Sequence, residues 1–599
     1  MFDVVIRGGV VVDGTGAERR PADVAIEGGR IASITEPGGL DAAVAAGDVG
    51  RVIEAEGLVV APGFVDLHTH YDAQAFWDPT LSPSPLHGVT TVVAGNCGFS
   101  IAPLSGDPAD GEYLMRMLAR VEGMPLESLA EGVPWDWRST AEYLDRLDGT
   151  LAVNAGFLVG HSALRRAVMG DAAVGEEATE EQVDAMAALL AEGLAAGGLG
   201  FSSSWATTHS DGEGDPVPSR HATHDELVRL CSVLRDHPGT ALEFIPTVGP
   251  FADEHMDLMA DMSLAADRPL NWNVLVAANA RSAEDVAQRL SASDRAAERG
   301  ARVLALTVPD LMRIRLCFLT GFLLDTFPGW AKVMTLPADE KLVALADPDV
   351  RRHLLEGVES PEAGPFARIA QWHRMTIEEA FTDETKRHEG RLVGDVAAEQ
   401  GKEPFDALLD IVVEDGLRTV ILPPQSGDDD DSWALRAQTW RDPRVILGAS
   451  DAGAHLDFIA TFNYTTAFLG DSVRDRGLMG LEEAVHKLTD VPARLYGLTG
   501  RGRLAEGWAA DVVVFDPERI APGPVAMRAD LPAGAARLYS EPEGVEHVLV
   551  NGVEIVGPGA AFTDARPGTL LRSGRDTETV SLHTGSSSLG APSASGSSS

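Results

Sequence analysis

Two histidines separated by one residue follow a short apolar run in the stretch GFVDLHTHYD. Successive side chains of a β-strand point to opposite faces, so we expect His68 and His70 on one face and Thr69 on the other. A lone buried histidine usually packs and hydrogen-bonds, but two imidazoles on one face at a strand end are costly unless something binds both. This spacing therefore favours a metal site.

A cysteine and an aspartate follow two other apolar runs. Cys97 comes after TTVVAG, and Asp451 comes after RVILGAS. A thiolate is a good zinc ligand, although a solitary cysteine can equally pack as a small apolar residue. A carboxylate beside a metal can hold a water molecule, accept its proton and return that proton to a leaving group. Together with the histidine pair, these residues could carry out metal-assisted hydrolysis.

Alternating strands and helices must position these residues. Short apolar runs such as LAVNAGFLVG and ARVLALTV are separated by stretches with helical spacing such as TEEQVDAMAALLAEGLAAGG. The alternation recurs about eight times and predicts an α/β fold, a closed (β/α)8 TIM-like barrel, over residues 61–499. The first and last strands of a closed barrel are neighbours, so we expect Asp451 to lie beside His68 and His70 at the rim that carries the chemistry.

The two ends of the chain have a different pattern. FDVVIRGGVVV and VEHVLVNGVEIVG are short β-rich runs divided by glycine-containing turns. We predict that residues 1–60 and 500–570 form one small accessory β-sandwich domain. The segment from about 310 to 435 interrupts the alternation and is predicted to be an insertion between late barrel strands. Residues 571–599, which end in a run of Ser, Gly, Ala and Pro, are predicted to form a disordered tail.

Composition restricts the partners and the compartment. The formal net charge of −43 would repel nucleic-acid phosphates and anionic lipid, so we expect neither as a partner. The three cysteines are too few and too scattered for a disulfide framework. The sequence has neither a secretory signal nor a run of about 20 apolar residues. We therefore expect a soluble cytoplasmic protein, and self-association into a homo-oligomer stays open.

The motifs in this order resemble the amidohydrolase superfamily, most closely its D-aminoacylase (N-acyl-D-amino-acid deacylase) branch. The resemblance covers most of the chain up to about residue 570 and rests on PGFVDLHTHYD, GNCG, LVGHSALR, ILGASDAG and LEEAVHKLTDVPARLYGLTGRGRLAEGWAADVVVFDP. It implies a zinc centre that includes His68, His70 and Cys97, with Asp451 as the catalytic acid and base. The implied activity is metal-dependent hydrolysis of a carbon–nitrogen bond in a small, linear, non-peptide amide.

One departure from the branch concerns the metal. The branch has further zinc-binding histidines at the ends of strands five and six, where this chain reads TALEFIPTVG and PLNWNVLVA. Glu243 is a candidate metal ligand there, or a buried hydrogen-bond acceptor, whereas Asn271 and Asn273 carry neutral amides that bind zinc poorly. No lysine stands clearly at the end of strand four to bridge two metals. One tight zinc site is therefore favoured, and a second divalent ion stays open.

A second departure concerns the substrate. The branch binds a substrate carboxylate with an arginine shortly after the last-strand aspartate, yet no arginine occurs in AGAHLDFIATFNYTTAFLG after Asp451. The fourth connection of the barrel contains a Gly/Pro-rich stretch long enough to form a lid over the rim. Candidate substrate-binding residues on this rim and its loops are His161, Arg165, His209, Arg220, His221 and Tyr464.

Two other functions remain open from the sequence. A lyase or decarboxylase could use the same metal to stabilise an enolate in place of an oxyanion. A non-catalytic scaffold, like the dihydropyrimidinase-related proteins that resemble amidohydrolases but lack metal ligands, could keep the fold without turnover. Retention of His68, His70, Cys97 and Asp451 argues against the scaffold. Metal content separates the scaffold from the enzymes, and product analysis separates the two enzymes.

Overall fold

The structure is a computed structural model that describes residues 1–582, apart from the side chains of residues 364–366 and 368. The N-terminal strands are β1 (Phe2–Val11), β2 (Arg20–Glu27), β3 (Arg30–Thr35), β4 (Val49–Glu54) and β5 (Val59–Pro62). The strands of the central region are β6 (Phe64–Asp66), β7 (Val89–Ala94), β8 (Asn154–Phe157), β9 (Val159–Gly160), β10 (Gly200–Ser204), β11 (Ala241–Ile245), β12 (Leu270–Trp272), β13 (Val303–Thr307), β14 (Leu316–Cys317), β15 (Thr376–Glu379), β16 (Val420–Leu422) and β17 (Val445–Leu447). The C-terminal strands are β18 (Val512–Phe515), β19 (Ala521–Pro522), β20 (Ala526–Arg528), β21 (Arg537–Tyr539), β22 (Pro542–Glu543), β23 (Val545–Val550), β24 (Val553–Gly557) and β25 (Ala561–Phe562).

Most of the helices lie between these strands. They are α1 (Asp41–Ala46), α2 (Pro108–Val121), α3 (Leu126–Gly132), α4 (Thr140–Leu147), α5 (His161–Met169), α6 (Glu180–Ala195), α7 (His224–Val233), α8 (Asp253–Ala266), α9 (Ala283–Glu298), α10 (Ala331–Met334), α11 (Ala338–Ala346), α12 (Pro348–Glu359), α13 (Val393–Gln400), α14 (Pro404–Glu414), α15 (Asp430–Arg441), α16 (Tyr464–Ala467), α17 (Leu481–Leu488) and α18 (Asp490–Leu495). In α6, the Thr179 side chain accepts the Gln182 N–H and the Gln182 side chain accepts the Thr179 N–H, a capping box that fixes where the helix begins.

Parallel strands at the centre form a barrel. β6, β7 and β8 pair in that order, and the second run of parallel strands continues from β9 through β10, β11, β12 and β13 to β17. Backbone hydrogen bonds join the first strand to the last, because the His70 N–H donates to the Ala452 carbonyl (2.8 Å) and the Asp451 N–H to the His68 carbonyl (3.1 Å). With β8 and β9 as one interrupted strand, the predicted (β/α)8 barrel is confirmed.

Both ends of the chain contribute to an accessory β domain, as predicted. Its strands form one nine-stranded sheet in the order β25-β24-β23-β18-β5-β1-β2-β3, with β4 paired to β1. A buried polar cluster joins this domain to the barrel: Asp511 accepts hydrogen bonds from the Asn154 side chain (3.1 Å) and the Asn551 N–H (2.9 Å), and it pairs with Arg501. Burying a carboxylate is favourable only with such partners, so the cluster fixes how the two domains pack.

The segment between β13 and β17 carries its own small antiparallel sheet, in the order β14-β16-β15, and a separate apolar core that includes Trp330 and Phe405. It packs on the loop that follows β17. The Arg315 N–H donates to the Phe458 carbonyl (2.9 Å), and the Thr320 hydroxyl donates to Asp457 (3.0 Å). The predicted insertion thus lies against the carboxyl rim of the barrel.

The disordered tail was predicted to begin at residue 571, and this boundary is too early. Residues 571–582 are described, and Leu571 and Val580 are buried. The Leu571 N–H donates to the Ala155 carbonyl (2.8 Å), and the Ala155 N–H donates to the Thr569 carbonyl (3.0 Å), so this segment runs beside β8. The prediction was wrong because an apolar Leu-Leu pair at residues 570 and 571 precedes the polar sequence and is buried. Residues 583–599 of the predicted tail lie outside the described residues.

No helix within residues 1–582 is both long and apolar enough to cross a membrane.

Candidate metal centre

The two histidines lie side by side just beyond the end of β6. Their ring centroids are 5.2 Å apart with the rings nearly perpendicular. Thr69 turns the other way, and its hydroxyl donates to the Val93 carbonyl (2.8 Å). Both imidazoles are about 2% exposed. The alternation of a strand therefore continues through His-Thr-His and directs both rings into one buried site.

Cys97 joins the two histidines. Its Sγ lies 3.5 Å from the His68 Nε2, and one donor atom from each of the three residues lies within 4.8 Å of the others. The loop that carries it turns sharply after β7: Gly95 has φ +79°, and a Cβ there would meet the Leu158 carbonyl oxygen at 2.5 Å. Cys97 itself has φ +56°. Such backbone strain in a non-glycine residue persists where surrounding structure enforces it, often at functional sites.

Asp451 faces this group from the loop after β17. Its Oδ1 lies 3.0 Å from the His68 Nε2 and 3.6 Å from the His70 Nε2, and its side chain is 25% exposed. Burial raises the pKa of this carboxyl, but hydrogen bonds to His68 and His70 outweigh burial and hold the pKa well below its usual value. Asp451 is therefore a carboxylate at neutral pH, in contact with both histidines.

Sequence reasoning missed two residues of the site. Glu122, directly after α2, places Oε1 3.3 Å from the His70 Nδ1 and Oε2 3.8 Å from the His455 Nε2. His455 follows Asp451 by four residues and also has a positive φ, +51°. The histidine in SDAGAH was a signal that could have found His455. Glu122 gave no such signal, because it follows a helix and only the tertiary fold brings it to the strand ends.

The donor set and its charge fit a divalent cation. Burial raises the pKa of the Cys97 thiol well above its usual value, and the nearby Glu243, Glu122 and Asp451 raise it further. The pKa of Glu122 is also raised well above its usual value, first by burial and then by Asp451 and other carboxylates. A cation beside His68, His70 and Cys97 would offset this repulsion. Two imidazoles and a thiolate are the ligand types that zinc prefers.

Glu243 lies next to this group but is engaged elsewhere. Its Oε2 accepts the Cys97 backbone N–H at 2.8 Å, and its Oε1 accepts the Asn273 side-chain amide. Burial raises the pKa of Glu243 to about 7. The residues whose donor atoms lie within 4.8 Å of one another are His68, His70 and Cys97, called the donor group below, and Glu243 accepts the Cys97 N–H beside them.

His161 and Arg165 lie outside the donor group. His161 hydrogen-bonds Ser203 through Nδ1 and Glu226 through Nε2, both at 2.8 Å. Arg165 donates to both oxygens of Glu226 at 2.6 Å. All of these side chains are buried. Both ring nitrogens of His161 and most donors of Arg165 are therefore already hydrogen-bonded within the protein and are not free to bind a substrate.

The remaining predicted substrate residues divide between the core and the loop of residues 205–223, which joins β10 to α7 and is called the lid below. The His209 Nδ1 lies 2.7 Å from the Ser204 Oγ, and its ring packs on Phe99 with centroids 4.9 Å apart. Arg220 and His221 are half-buried in the same loop, and the His221 Nε2 lies 3.3 Å from the Pro216 carbonyl. Tyr464 is completely buried at the start of α16. Among these four residues, His209 interacts electrostatically with His70, His455 and Asp451.

A narrow cavity of about 20 Å³ lies at the mouth of the site. Its walls come from α2, the lid and the insertion: Arg120, Val121, Thr208, Ser210, Phe322, Leu323, Asp325 and Thr326. Phe322 packs on His455 with ring centroids 4.5 Å apart. The volume would hold about one water molecule.

The whole chain is similar to proteins of known activity. Residues 51–556 match the Amidohydrolase family. The D-aminoacylase of Alcaligenes xylosoxydans xylosoxydans is 30% identical over 95% of this chain and 97% of its own length. A solved D-aminoacylase with a binuclear metal centre is 27% identical and superposes with a TM-score of 0.61, covering 96% of this chain and 100% of its own. The zinc-bound N-acyl-D-glutamate deacylase of Bordetella bronchiseptica is 25% identical, with a TM-score of 0.60 and the same coverage.

Proposed function

This chain belongs to the amidohydrolase family and is a metal-dependent enzyme that acts on amides, and we propose that it is a zinc-dependent deacylase of N-acyl-D-amino acids. The observation that carries the proposal is the contact of one ionised carboxylate, Asp451, with two members of the buried donor group. The three relatives with deacylase names, a D-aminoacylase, an N-acyl-D-aspartate deacylase and an N-acyl-D-glutamate deacylase, do not favour the lyase or the scaffold. The D-amino-acid class of substrate comes from their names.

His68, His70 and Cys97 would hold the metal. We favour a single tight zinc ion because the side chains of Glu243 and Asn273 hydrogen-bond to each other, which leaves them less able to hold a second ion. When bound, zinc supplies Lewis-acid activation of water and of the amide carbonyl. Glu122 lies within 3.3 Å of the His70 Nδ1 and orients that ring from behind. Glu243 keeps the Cys97 loop in place through the Cys97 N–H.

Asp451 would move the proton. Its carboxylate is ionised and partly exposed, so it can accept a proton from the attacking water. The same carboxyl group would then donate that proton to the departing nitrogen, which leaves as a free amine. The insertion and the lid, which line a narrow cavity with α2 and place Phe322 against His455, would limit the access of bulk water while this happens.

We expect the zinc-loaded protein to release free D-amino acids from N-acetyl-D-amino acids. The test is chromatography of reactions with the N-acetyl derivatives of D-leucine, D-aspartate and D-glutamate, run beside their L enantiomers and beside chelator-treated protein. Release of amino acid from at least one D derivative, faster than from its L enantiomer and dependent on the metal, is the expected result. A decarboxylated or unsaturated product, or no conversion at all, would refute the deacylase assignment.

A further inference from the structure

Few positively charged side chains lie on the elements around the donor group. Three arginines approach the rim from α2, α5 and the lid: Arg120, Arg165 and Arg220. Two of them are neutralised within the protein, because Arg165 pairs with Glu226 and Arg120 pairs with Asp325 of the insertion. Arg220 differs from both, since no carboxylate of residues 1–582 lies within 4.0 Å of it.

Arg220 is connected to the site through His209. Its Nη1 donates to the His209 carbonyl at 3.0 Å, its one side-chain hydrogen bond in the described chain. The His209 ring is close enough to His70, His455 and Asp451 to interact with them electrostatically. Burial lowers the pKa of Arg220 and no carboxylate offsets that effect, but arginine stays charged. A half-buried guanidinium with most of its five donors unused is thus held on the backbone of His209.

We propose that Arg220 is a specificity-determining residue that binds the free carboxylate of the substrate from the lid. This inference rests on the proposed function, because the carboxylate of an N-acyl amino acid lies one carbon from the scissile nitrogen. A cation that binds it must therefore be able to reach the metal donors. Arg220 is held on the backbone of His209 in the lid, a different element from the loop after β17. A guanidinium binds a carboxylate through two parallel hydrogen bonds, which supplies the partner that Arg220 lacks.

The test compares an acid with its neutral counterpart. Binding of N-acetyl-D-leucine and N-acetyl-D-leucinamide is measured by isothermal titration calorimetry on zinc-loaded Asp451→Asn protein, in which the ligands would stay intact. We expect this protein to prefer the acid by at least about tenfold, the size of a charge-assisted hydrogen bond. Arg220→Met should abolish the preference by weakening only the acid, and Arg220→Lys should restore part of it.

Arg116 provides the matched control. It is an exposed arginine of α2 that touches the same loop through Glu213 (3.1 Å), so Arg116→Met should leave the preference unchanged. Equal affinity of the parent for acid and amide, failure of the parent to bind either, or a preference that survives in Arg220→Met would overturn the role of Arg220. An Arg220-dependent preference in a protein whose wild type releases no amino acid would instead overturn the deacylase assignment alone.

Discussion

Asp451→Asn is expected to lower kcat by on the order of 10³–10⁴-fold while leaving the metal bound. Asparagine keeps the size of aspartate and can still hydrogen-bond to His68 and His70, but its amide cannot accept a proton from water. The carboxylate lies 3.0 Å from His68, and its low pKa keeps it ionised and ready to act as a base. The measurement is steady-state hydrolysis of the best N-acetyl-D-amino acid, with metal content determined on the same samples.

Asp457→Asn is the matched control for this variant. Asp457 is a half-buried carboxylate on the same loop, but it accepts a hydrogen bond from Thr320 (3.0 Å) and is not part of the donor group. We expect it to keep most of the wild-type kcat. If Asp451→Asn kept more than about a tenth of the wild-type kcat, Asp451 would not be the proton carrier. Loss of metal from Asp451→Asn would make Asp451 a ligand.

Cys97→Ala is expected to weaken zinc binding by more than about 100-fold, because even loss of a residue behind a ligand costs 10–100-fold in affinity. The Cys97 Sγ is the one thiol among the three donors, and alanine leaves two imidazoles to hold the ion. Catalysis should fall with metal content. Competition with a chromophoric chelator measures the dissociation constant, and zinc added in excess should recover part of the activity.

Cys231→Ala controls for the loss of a buried thiol. Cys231 belongs to the apolar core around α7 and has no polar partner in the donor group, so its variant should bind zinc like the wild type. Equal zinc affinity in Cys97→Ala and the wild type would remove Cys97 from the centre. The three remaining contacts, those of His68 and His70 with Asp451 and of His70 with Glu122, would then define the site.

Local periodicity explains why part of the site was predictable. His68 and His70 share a face because side chains alternate along a strand, and this follows from sequence alone. Cys97 and Asp451 come after apolar runs predicted to be the barrel strands on either side of the histidine strand, so the topology of the barrel brings them to the same rim. The strand pattern likewise predicted the β domain formed by both ends of the chain. Each of these inferences needs only the sequence near the residue and the closure of the barrel.

Other features depend on contacts that no local pattern encodes. Glu122 reaches His70 from the end of α2, and the identity of its partner is set by how α2 packs on the barrel. The sequence left Glu243 as a ligand or an acceptor, and the choice depends on the direction of the Cys97 N–H. Arg165 looked free to bind substrate, but Glu226, 61 residues later, lies 2.6 Å from it. Ion pairs between distant residues are visible only in the folded chain.

The most direct test of the metal centre is elemental analysis of purified wild-type protein beside the His68→Ala/His70→Ala double variant. We expect about one zinc per chain in the wild type and essentially none in the variant, since the two imidazoles supply two of the three donors. Circular dichroism of both proteins would verify that the barrel remains folded. Equal zinc in the two proteins, or no metal in a folded wild type that is also inactive after zinc is added, would contradict a catalytic metal held by His68, His70 and Cys97.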